Sequence, residues 1–378
     1  MENKKFQDLE LYIHIPFCVK KCDYCDFLSG PASREAQDAY MEALQKETEN
    51  LQLEKNRRIV SVFFGGGTPS VVEAEQIGKL LDCLRSRCTF SEDAEISIEA
   101  NPGTLTKEKL ECYKAHGINR ISLGLQSAKN EDLKVLGRIH TFEEFQKSYR
   151  LVREAGFANV NVDLIFAIPE QTCESWKENL LAVAKMQPEH ISAYSLIVEE
   201  GTPFYEQDLH LPDEDTEYRM YEDTAAILQQ YGYQQYEISN YAKEGYYCRH
   251  NIGYWNGTEY LGLGLGSASL YQGTRFSNTT DMKTYLQYSA NPEKIRENIQ
   301  TLTEQEKMEE FMFLGLRMTE GVCERDFQKR FGKELMEVYG KVLKKYEKMG
   351  FLQSEKGKWC FSRPGIHVSN QILADFLE

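Results

Sequence analysis

The stretch HIPFCVKKCDYCDF, residues 14–27, places cysteines at Cys18, Cys22 and Cys25 in a C-x3-C-x2-C spacing. It follows the apolar segment 11–15, which predicts a β-strand. Three thiolates can each ligate one iron of a [4Fe-4S] cluster and leave the fourth iron open for a ligand from outside the chain. Structural zinc needs four ligands, and no second cysteine pair follows, although His14 or Cys248 could complete such a site. The spacing favours a cluster with an open binding position.

Outward from this loop, short apolar segments alternate with helix-like ones over the first 200 residues. The predicted strands are 11–15, 59–64, 94–100, 120–126, 159–167 and 190–198. The predicted helices between them are 33–55, 71–88, 106–116, 141–156 and 173–186. Six β-then-α units predict a parallel sheet with right-handed crossovers, either doubly wound or part of a (β/α) barrel.

Alternation within three of these strands favours the barrel. Apolar residues at every second position of 95–99, 121–126 and 160–164 alternate with small or polar ones. A sheet covered by helices on both faces would be apolar on both. One polar face indicates a cavity, with Glu99, Gln126 and Asp163 at its carboxyl rim.

Composition and charge limit the function classes. The chain has 378 residues, 59 acidic against 44 basic, for a formal charge of −15, which disfavours a nucleic-acid partner. Residues 325–358 are locally basic, with ten Lys/Arg against five Asp/Glu, but a solvated helix face explains this more simply than DNA reading. The other seven cysteines have no repeated spacing, and the sequence shows no signal peptide or membrane span. We expect a cytoplasmic protein.

The pattern predicts three regions. Residues 1–200 form a partial barrel, and 201–300 extend it with a segment rich in glycine and tyrosine at 245–275. Residues 301–378 read as helices followed by a strand-turn-strand, which is similar to a winged helix. We therefore expect an α/β fold with a smaller α+β C-terminal domain.

The cysteine loop after the first strand, together with FFGGGTPS at 63–70, resembles the radical S-adenosylmethionine (SAM) superfamily. Glycine at such a turn lets the backbone approach a ligand without a Cβ in the way. The resemblance implies a partial (β/α)6 barrel in which the amino and carboxylate groups of SAM chelate the open iron. It also implies that the reduced cluster can cleave SAM to a deoxyadenosyl radical.

More narrowly, YIHIPFC, GGGTP, SIEANP, GLQS, LGR and DLIFAIP are similar to the group that contains the oxygen-independent coproporphyrinogen III oxidase and the HemW-type heme chaperones. This resemblance implies a SAM site in which different residues bind different groups of the cofactor. Tyr12 and the Tyr24 backbone would contact SAM near the cluster. Its amino group would be received by Gly66, Gly67 and Thr68, its methionine end by Glu99 and Arg138, and its ribose hydroxyls by Gln126 and Asp163.

Two features separate the oxidase from the chaperone. The oxidase resembles C-x3-C-x2-C-x-C and carries an extension ahead of its cysteines, whereas here Phe27 takes the last position and 17 residues precede Cys18. RHNIGYW, in contrast, is similar to the HNxxYW signature of the chaperone, which implies His250 as an axial heme ligand.

We therefore expect a chaperone that binds a [4Fe-4S] cluster, SAM and heme, and that passes heme to an acceptor protein, expected at the membrane. This role does not require catalytic turnover. The alternative is a coproporphyrinogen III oxidase or dehydrogenase, in which the radical would abstract hydrogen from a propionate side chain.

Overall fold

A computed structural model describes residues 6–377. Fifteen strands are found in this part of the chain. They are β1 (Gln7–Ile15), β2 (Arg57–Gly66), β3 (Thr89–Ala100), β4 (Arg120–Gln126), β5 (Val160–Phe166), β6 (His190–Ser195), β7 (Gln234–Gln235), β8 (Asn240–Ala242), β9 (Tyr260–Leu263), β10 (Ala268–Tyr271), β11 (Thr274–Asn278), β12 (Arg296–Thr301), β13 (Val322–Cys323), β14 (Leu352–Glu355) and β15 (Lys358–Phe361).

Fifteen α-helices are described, with a short 3₁₀ turn at Pro69–Val71. They are α1 (Arg34–Glu49), α2 (Ala74–Arg87), α3 (Lys107–Ala115), α4 (Asn130–Val135), α5 (Phe142–Glu154), α6 (Cys173–Met186), α7 (Glu214–Gln230), α8 (Arg249–Asn256), α9 (Met282–Tyr288), α10 (Pro292–Ile295), α11 (Glu304–Gly315), α12 (Glu324–Phe331), α13 (Leu335–Lys348), α14 (Arg363–His367) and α15 (Ser369–Ala374).

The first six strands form the predicted parallel sheet in chain order. Each is paired in parallel with the next, and Leu11, Val62, Ile98 and Leu123 lie in the core under α1 to α6. Thr106, Thr141 and Thr172 cap α3, α5 and α6 through their hydroxyl groups, as the sequence signals indicate. The predicted α/β class is confirmed, while the short helix α4 was not predicted.

The sheet remains open because β1 and β6 do not pair with each other. On one edge β9 pairs in parallel with β1, and β10, β11 and β12 continue outward. On the other edge β8 pairs antiparallel with β6. Residues 201–300 therefore extend both edges of the barrel sheet, a long-range arrangement that periodicity does not reveal.

The C-terminal region has a core of its own. Met312, Phe327, Leu343, Trp359 and Phe376 pack together from α11 onward. Strand β13 precedes the helices α12 and α13, and the hairpin of β14 and β15 follows them. The three strands form an antiparallel sheet in the order β13-β15-β14, so helices and a hairpin are combined as expected for a winged-helix-like domain. Among residues 6–377, no helix has the length and apolar character needed to cross a bilayer.

Candidate functional site

The cysteine loop is fixed at its base by backbone hydrogen bonds. The N–H of Cys18 donates to Gly30 O at 3.0 Å, and the N–H of Gly30 donates to Pro16 O at 3.0 Å. Farther along the loop, the Asp23 N–H donates to Leu136 O, and Asp23 O accepts from the Phe204 N–H. These bonds hold the loop over the carboxyl ends of the strands, where barrel sites form.

All three loop cysteines line one cavity of about 420 Å³, which we name the cysteine cavity. The thiols are half-buried. In the described chain, no three His, Cys, Asp or Glu side chains gather closely enough to hold a single metal ion. A cluster does not need such convergence, because each thiolate binds a different iron.

The residues considered as a fourth zinc ligand point elsewhere. His14 is hydrogen-bonded to Leu28 O at 2.9 Å and to the Tyr12 hydroxyl at 3.1 Å. Cys248 is buried beside Glu95 of β3, with its sulfur 3.5 Å from Glu95 Oε1, and it does not line the cysteine cavity. The donor set therefore fits a cluster held by three thiolates better than mononuclear zinc.

The glycine strip after β2 makes room beside the cluster loop. A Cβ on Gly67 would lie 2.6 Å from Phe17 O and 2.9 Å from Cys18 Sγ. A Cβ on Gly66, whose φ is +112°, would lie 2.6 Å from the His14 ring. Only glycine fits these two positions without displacing the cysteine loop or the His14 ring.

Arg138 connects the cysteines to the strand ends. Its Nη1 lies 3.3 Å from Cys22 Sγ, and its Nη2 donates to Gly124 O at 2.9 Å and to Asn101 Oδ1 at 2.7 Å. Asn101 in turn donates to the Thr68 hydroxyl at 2.7 Å. The network fixes a guanidinium beside the Cys22 sulfur and a glycine-rich strip, a suitable place for a ligand carboxylate.

Two carboxylates face this cavity from β3 and β5, the strands on either side of β4. Glu99 Oε2 accepts from the Gly66 N–H at 3.2 Å, and Asp163 accepts from the Ser122 hydroxyl at 2.8 Å. Burial, reinforced by Asp163, raises the pKa of Glu99 to about 8. A bound ammonium or sulfonium group would compensate these charges.

Eleven of the thirteen predicted site residues line the cysteine cavity. They are Cys18, Cys22, Tyr24, Cys25, Gly66, Gly67, Thr68, Glu99, Gln126, Arg138 and Asp163. Gln126 Oε1 and Arg138 Nε are buried with no hydrogen-bond partner in residues 6–377, which leaves an acceptor and a donor for a ligand. The cavity therefore fits a molecule with the size and polarity of SAM.

Tyr12 and His250 lie instead around a second cavity of about 510 Å³, the barrel cavity. Its wall is shared with the cysteine cavity at Gly66, Glu99 and Asp163. The two predicted residues are therefore one layer deeper in the barrel than the cysteines.

His250 belongs to α8 and is 2% exposed. Its Nδ1 is hydrogen-bonded to Ser61 Oγ at 2.8 Å and its Nε2 to the Tyr254 hydroxyl at 3.1 Å, while the ring stacks on Phe63 at 5.1 Å. Burial, with the nearby Arg120 guanidinium, lowers the pKa of His250 to about 3, so the imidazole is neutral. An Fe–N bond would require Ser61 or Tyr254 to release its nitrogen.

Two carboxyl groups position α8. Glu95 accepts from the N–H groups of Arg249 and His250 at 3.2 and 3.3 Å, so it satisfies the first turn in place of a capping side chain. Glu10 lies under Gly253, where a Cβ would be only 2.0 Å from its Oε1. Burial raises the pKa of Glu10 to about 9, which makes it a neutral acid beside the neutral His250.

Sequence reasoning missed two residues of the site. Asn101 stands in the quoted motif SIEANP, and its amide bridges Thr68 and Arg138. Arg120 is 2% exposed and lines the barrel cavity. Counting the alternation of β4 back from Ser122 by two positions would have placed Arg120 on the cavity face.

Family models match two parts of the chain. The radical SAM superfamily matches residues 12–182, and the HemN C-terminal domain matches residues 302–368. The chain is 36% identical over 372 residues to the heme chaperone HemW of Bacillus subtilis, with 97% of this chain and 98% of that protein covered.

The chain belongs to the HemW family. The HemW of Escherichia coli is 40% identical over 265 residues, or 70% of each chain. A mitochondrial radical S-adenosyl methionine domain-containing protein 1 from Danio rerio is 32% identical and covers 98% of this chain and 87% of its own length.

Among solved structures, the coproporphyrinogen III oxidase HemN of Escherichia coli, described as a radical SAM enzyme, matches with a TM-score of 0.84 and 25% identity. The match covers 98% of this chain and 90% of HemN. This chain and the oxidase therefore share one architecture, so a difference in function would have to lie in local residues.

Proposed function

We propose that this chain binds a [4Fe-4S] cluster through Cys18, Cys22 and Cys25, binds SAM beside it, and carries heme to an acceptor protein. The observation that carries this proposal is the joining of the two cavities. The cysteine cavity and the barrel cavity beneath the HNxxYW helix share Gly66, Glu99 and Asp163. The proposed SAM site and the HNxxYW helix therefore share one wall.

The residues of the cysteine cavity have distinct proposed roles. When bound, the reduced cluster supplies the electron that cleavage of SAM needs. The chain contributes three thiolates, the backbone of Gly66, Gly67 and Thr68 for the amino group, and the Arg138 guanidinium for a carboxylate. Glu99 offers a carboxylate to the ammonium group, and Gln126 and Asp163 offer acceptors to the ribose hydroxyls. Tyr24 closes the cavity beside Arg138, and Tyr12 contacts SAM from the barrel side.

Heme handling is proposed from the family and from residue 27. The two bacterial relatives named above are called heme chaperones, and Phe27 replaces the extra cysteine that the oxidase pattern has. Phe27 is 62% exposed at the mouth of both cavities, where it adds apolar surface rather than a thiolate. His250 on α8 is the proposed residue of the HNxxYW signature that supports heme binding.

We further propose that the chaperone works in the cytoplasm and that its acceptor lies at the membrane, a respiratory cytochrome being the chemical class expected. Incubation of heme-loaded chain with membranes that contain apo-cytochrome tests this step. Transfer appears as a new cytochrome spectrum in the membrane fraction. Loss of heme to protein-free vesicles at the same rate would contradict a specific acceptor.

Paired assays on one preparation test the main proposal. Anaerobic reconstitution should give a brown protein with about four irons per chain. Titration with hemin should give a saturable Soret band, while coproporphyrinogen III should remain unconverted under reducing conditions with SAM. A colourless protein that binds zinc, or one without a saturable Soret band, would contradict the chaperone.

The oxidase is the second candidate because HemN matches at a TM-score of 0.84. Conversion of coproporphyrinogen III to protoporphyrinogen IX by the same preparation would favour it. The matched variant is Phe27→Cys, which restores the oxidase pattern. Because the rest of the chain is unchanged, this single substitution should leave hemin binding intact and give no conversion; conversion by the variant would show that residue 27 decides between the two functions.

A further inference from the structure

A third cavity lies outside the barrel, between α8 and the start of the C-terminal domain. Its volume is about 710 Å³, larger than the barrel cavity at about 510 Å³ and the cysteine cavity at about 420 Å³. We name it the outer cavity. None of the residues proposed for the cluster or SAM lines it, so the proposed SAM chemistry leaves it without a role.

The walls of the outer cavity are aromatic and sulfur-containing. Trp255 and Phe311 face it from α8 and α11, and Tyr236 stacks on Tyr247 with ring centroids 4.5 Å apart. Met318 and Cys323 add two sulfur atoms. Flat rings suit a large planar ligand, and cysteine sulfur is among the ligands that heme iron accepts in proteins.

The charges in this cavity favour an anion. Lys358 is paired with Glu320 at 2.8 Å, but Lys329 and Arg330 have no carboxylate partner among the described residues. Asp326 is the remaining acidic residue of the lining. In a chain with a formal charge of −15, unpaired cations beside an aromatic wall indicate a planar ligand with acidic groups at one edge.

Trp255 connects this cavity to the HNxxYW signature. It lines both the outer cavity and the barrel cavity, and its indole Nε1 is buried without a partner in residues 6–377. His250, on the same helix, is directed into the barrel and bonded at both ring nitrogens. The helix therefore presents its histidine to the SAM side and its tryptophan to both sides.

We infer that heme binds in the outer cavity, with the Cys323 sulfur on the iron and the two propionates on Lys329 and Arg330. Trp255 forms the wall between heme and the barrel, and His250 positions α8 from within. This inference rests on the proposed heme-carrying function and names the place where the heme is held.

Hemin titration of the full chain tests the inference, followed by the Soret band and by the electron paramagnetic resonance of the ferric iron. Cys323→Ser should move the Soret maximum and change the ferric signal, because the iron loses its sulfur ligand. The double variant Lys329→Glu/Arg330→Glu should weaken hemin binding about tenfold or more, since both propionates would face carboxylates.

Two further variants act as controls, and a third, His250→Ala, separates the outer cavity from the histidine of the HNxxYW signature. Cys360→Ser changes a thiol on the neighbouring strand β15, and Lys341→Glu changes an exposed lysine of α13; neither residue lines the outer cavity. Both should bind hemin as the unmodified chain does. His250→Ala should keep the sulfur-ligand spectrum, with any loss appearing in affinity alone. Thermal melts confirm that each variant is folded, and the exposed charge pair gives a test even if Cys323→Ser unfolds.

The outcomes distinguish the inference from the function on which it rests. If the unmodified chain binds no hemin, the proposed function fails and the inference fails with it. If the unmodified chain binds hemin but the spectrum and affinity survive both cavity variants, only the inference is overturned. The same holds if His250→Ala abolishes the ligand signature that Cys323→Ser leaves unchanged.

Discussion

The cysteine loop and helix α8 carry the two motifs of this chain, and they differ in how far their partners lie along the sequence. The three cysteines lie within eight residues and remain half-buried at the mouth of one cavity. His250 is buried and is positioned by Ser61, Glu95 and Glu10, which are 155 or more residues away. The short cysteine spacing therefore indicates a metal site from the sequence alone. The role of His250 can be inferred only once its partners in the folded chain are known.

The largest expected effect lies in the loop. Substitution of Cys18, Cys22 or Cys25 by Ala should abolish the brown colour and reduce the iron content from about four per chain to none, because each thiolate holds its own iron. Iron and sulfide analysis after anaerobic reconstitution measures this. Cys83→Ala, on α2 outside the cavity, is the matched control. Full iron retention in any loop variant would contradict the assignment of these three cysteines as the cluster ligands.

The second effect is a pH dependence from Glu99. The pKa of Glu99 is about 8 in the folded chain, above the ordinary value of 4.5. The folded state therefore keeps this proton at pH values where the unfolded state has lost it. The stability that Glu99 contributes is fully present below pH 4.5 and is lost as the pH rises through about 8. The slope is at most about 1.4 kcal/mol per pH unit, and less where cavity water screens the carboxylate.

The variant Glu99→Gln removes this slope. The unfolding free energy of Glu99→Gln minus that of the unmodified ligand-free chain should rise with pH from about 4.5 to about 8. Denaturant unfolding at a series of pH values measures it, with the exposed Glu92→Gln as control. Parallel curves for Glu99→Gln and the unmodified chain would contradict the buried, uncompensated carboxyl group.

The central strands and helices could be predicted because apolar residues recur every two residues in a half-buried strand and every 3.6 residues in a half-buried helix. Three kinds of feature were missed. The pairing of β1 with β9 brings Leu11 beside Leu261, and nothing local marks such a contact. Asn101 bridges Thr68 and Arg138 only once three strand ends converge. The hydrogen bonds of His250 to Ser61 and of α8 to Glu95 likewise depend on how the helix docks against β2 and β3.

The third prediction concerns Gly67, where the loop depends on a neighbouring strand. Gly67→Ala places a Cβ 2.6 Å from Phe17 O and 2.9 Å from Cys18 Sγ, and should lower the free energy of unfolding by about 1–3 kcal/mol and reduce cluster loading. Gly30→Ala is the matched control, because a Cβ there meets nothing within 4 Å. Equal iron contents and equal midpoints of denaturation in the two variants would show that the cysteine loop does not depend on the space left by glycine at residue 67.

The smallest expected effect separates the two regions most sharply. Glu95→Ala removes the acceptor of two N–H groups at the start of α8, and should lower the free energy of unfolding by about 1–2 kcal/mol. Because Glu95 does not line the cysteine cavity, iron content should be unchanged. Hemin affinity should fall, since α8 carries Trp255 and loses its anchor to β3. Glu92→Ala, exposed on the same strand, should change neither property. If Glu95→Ala instead lost iron while binding hemin normally, the result would contradict this assignment. Helix α8 would then support the cluster rather than the heme.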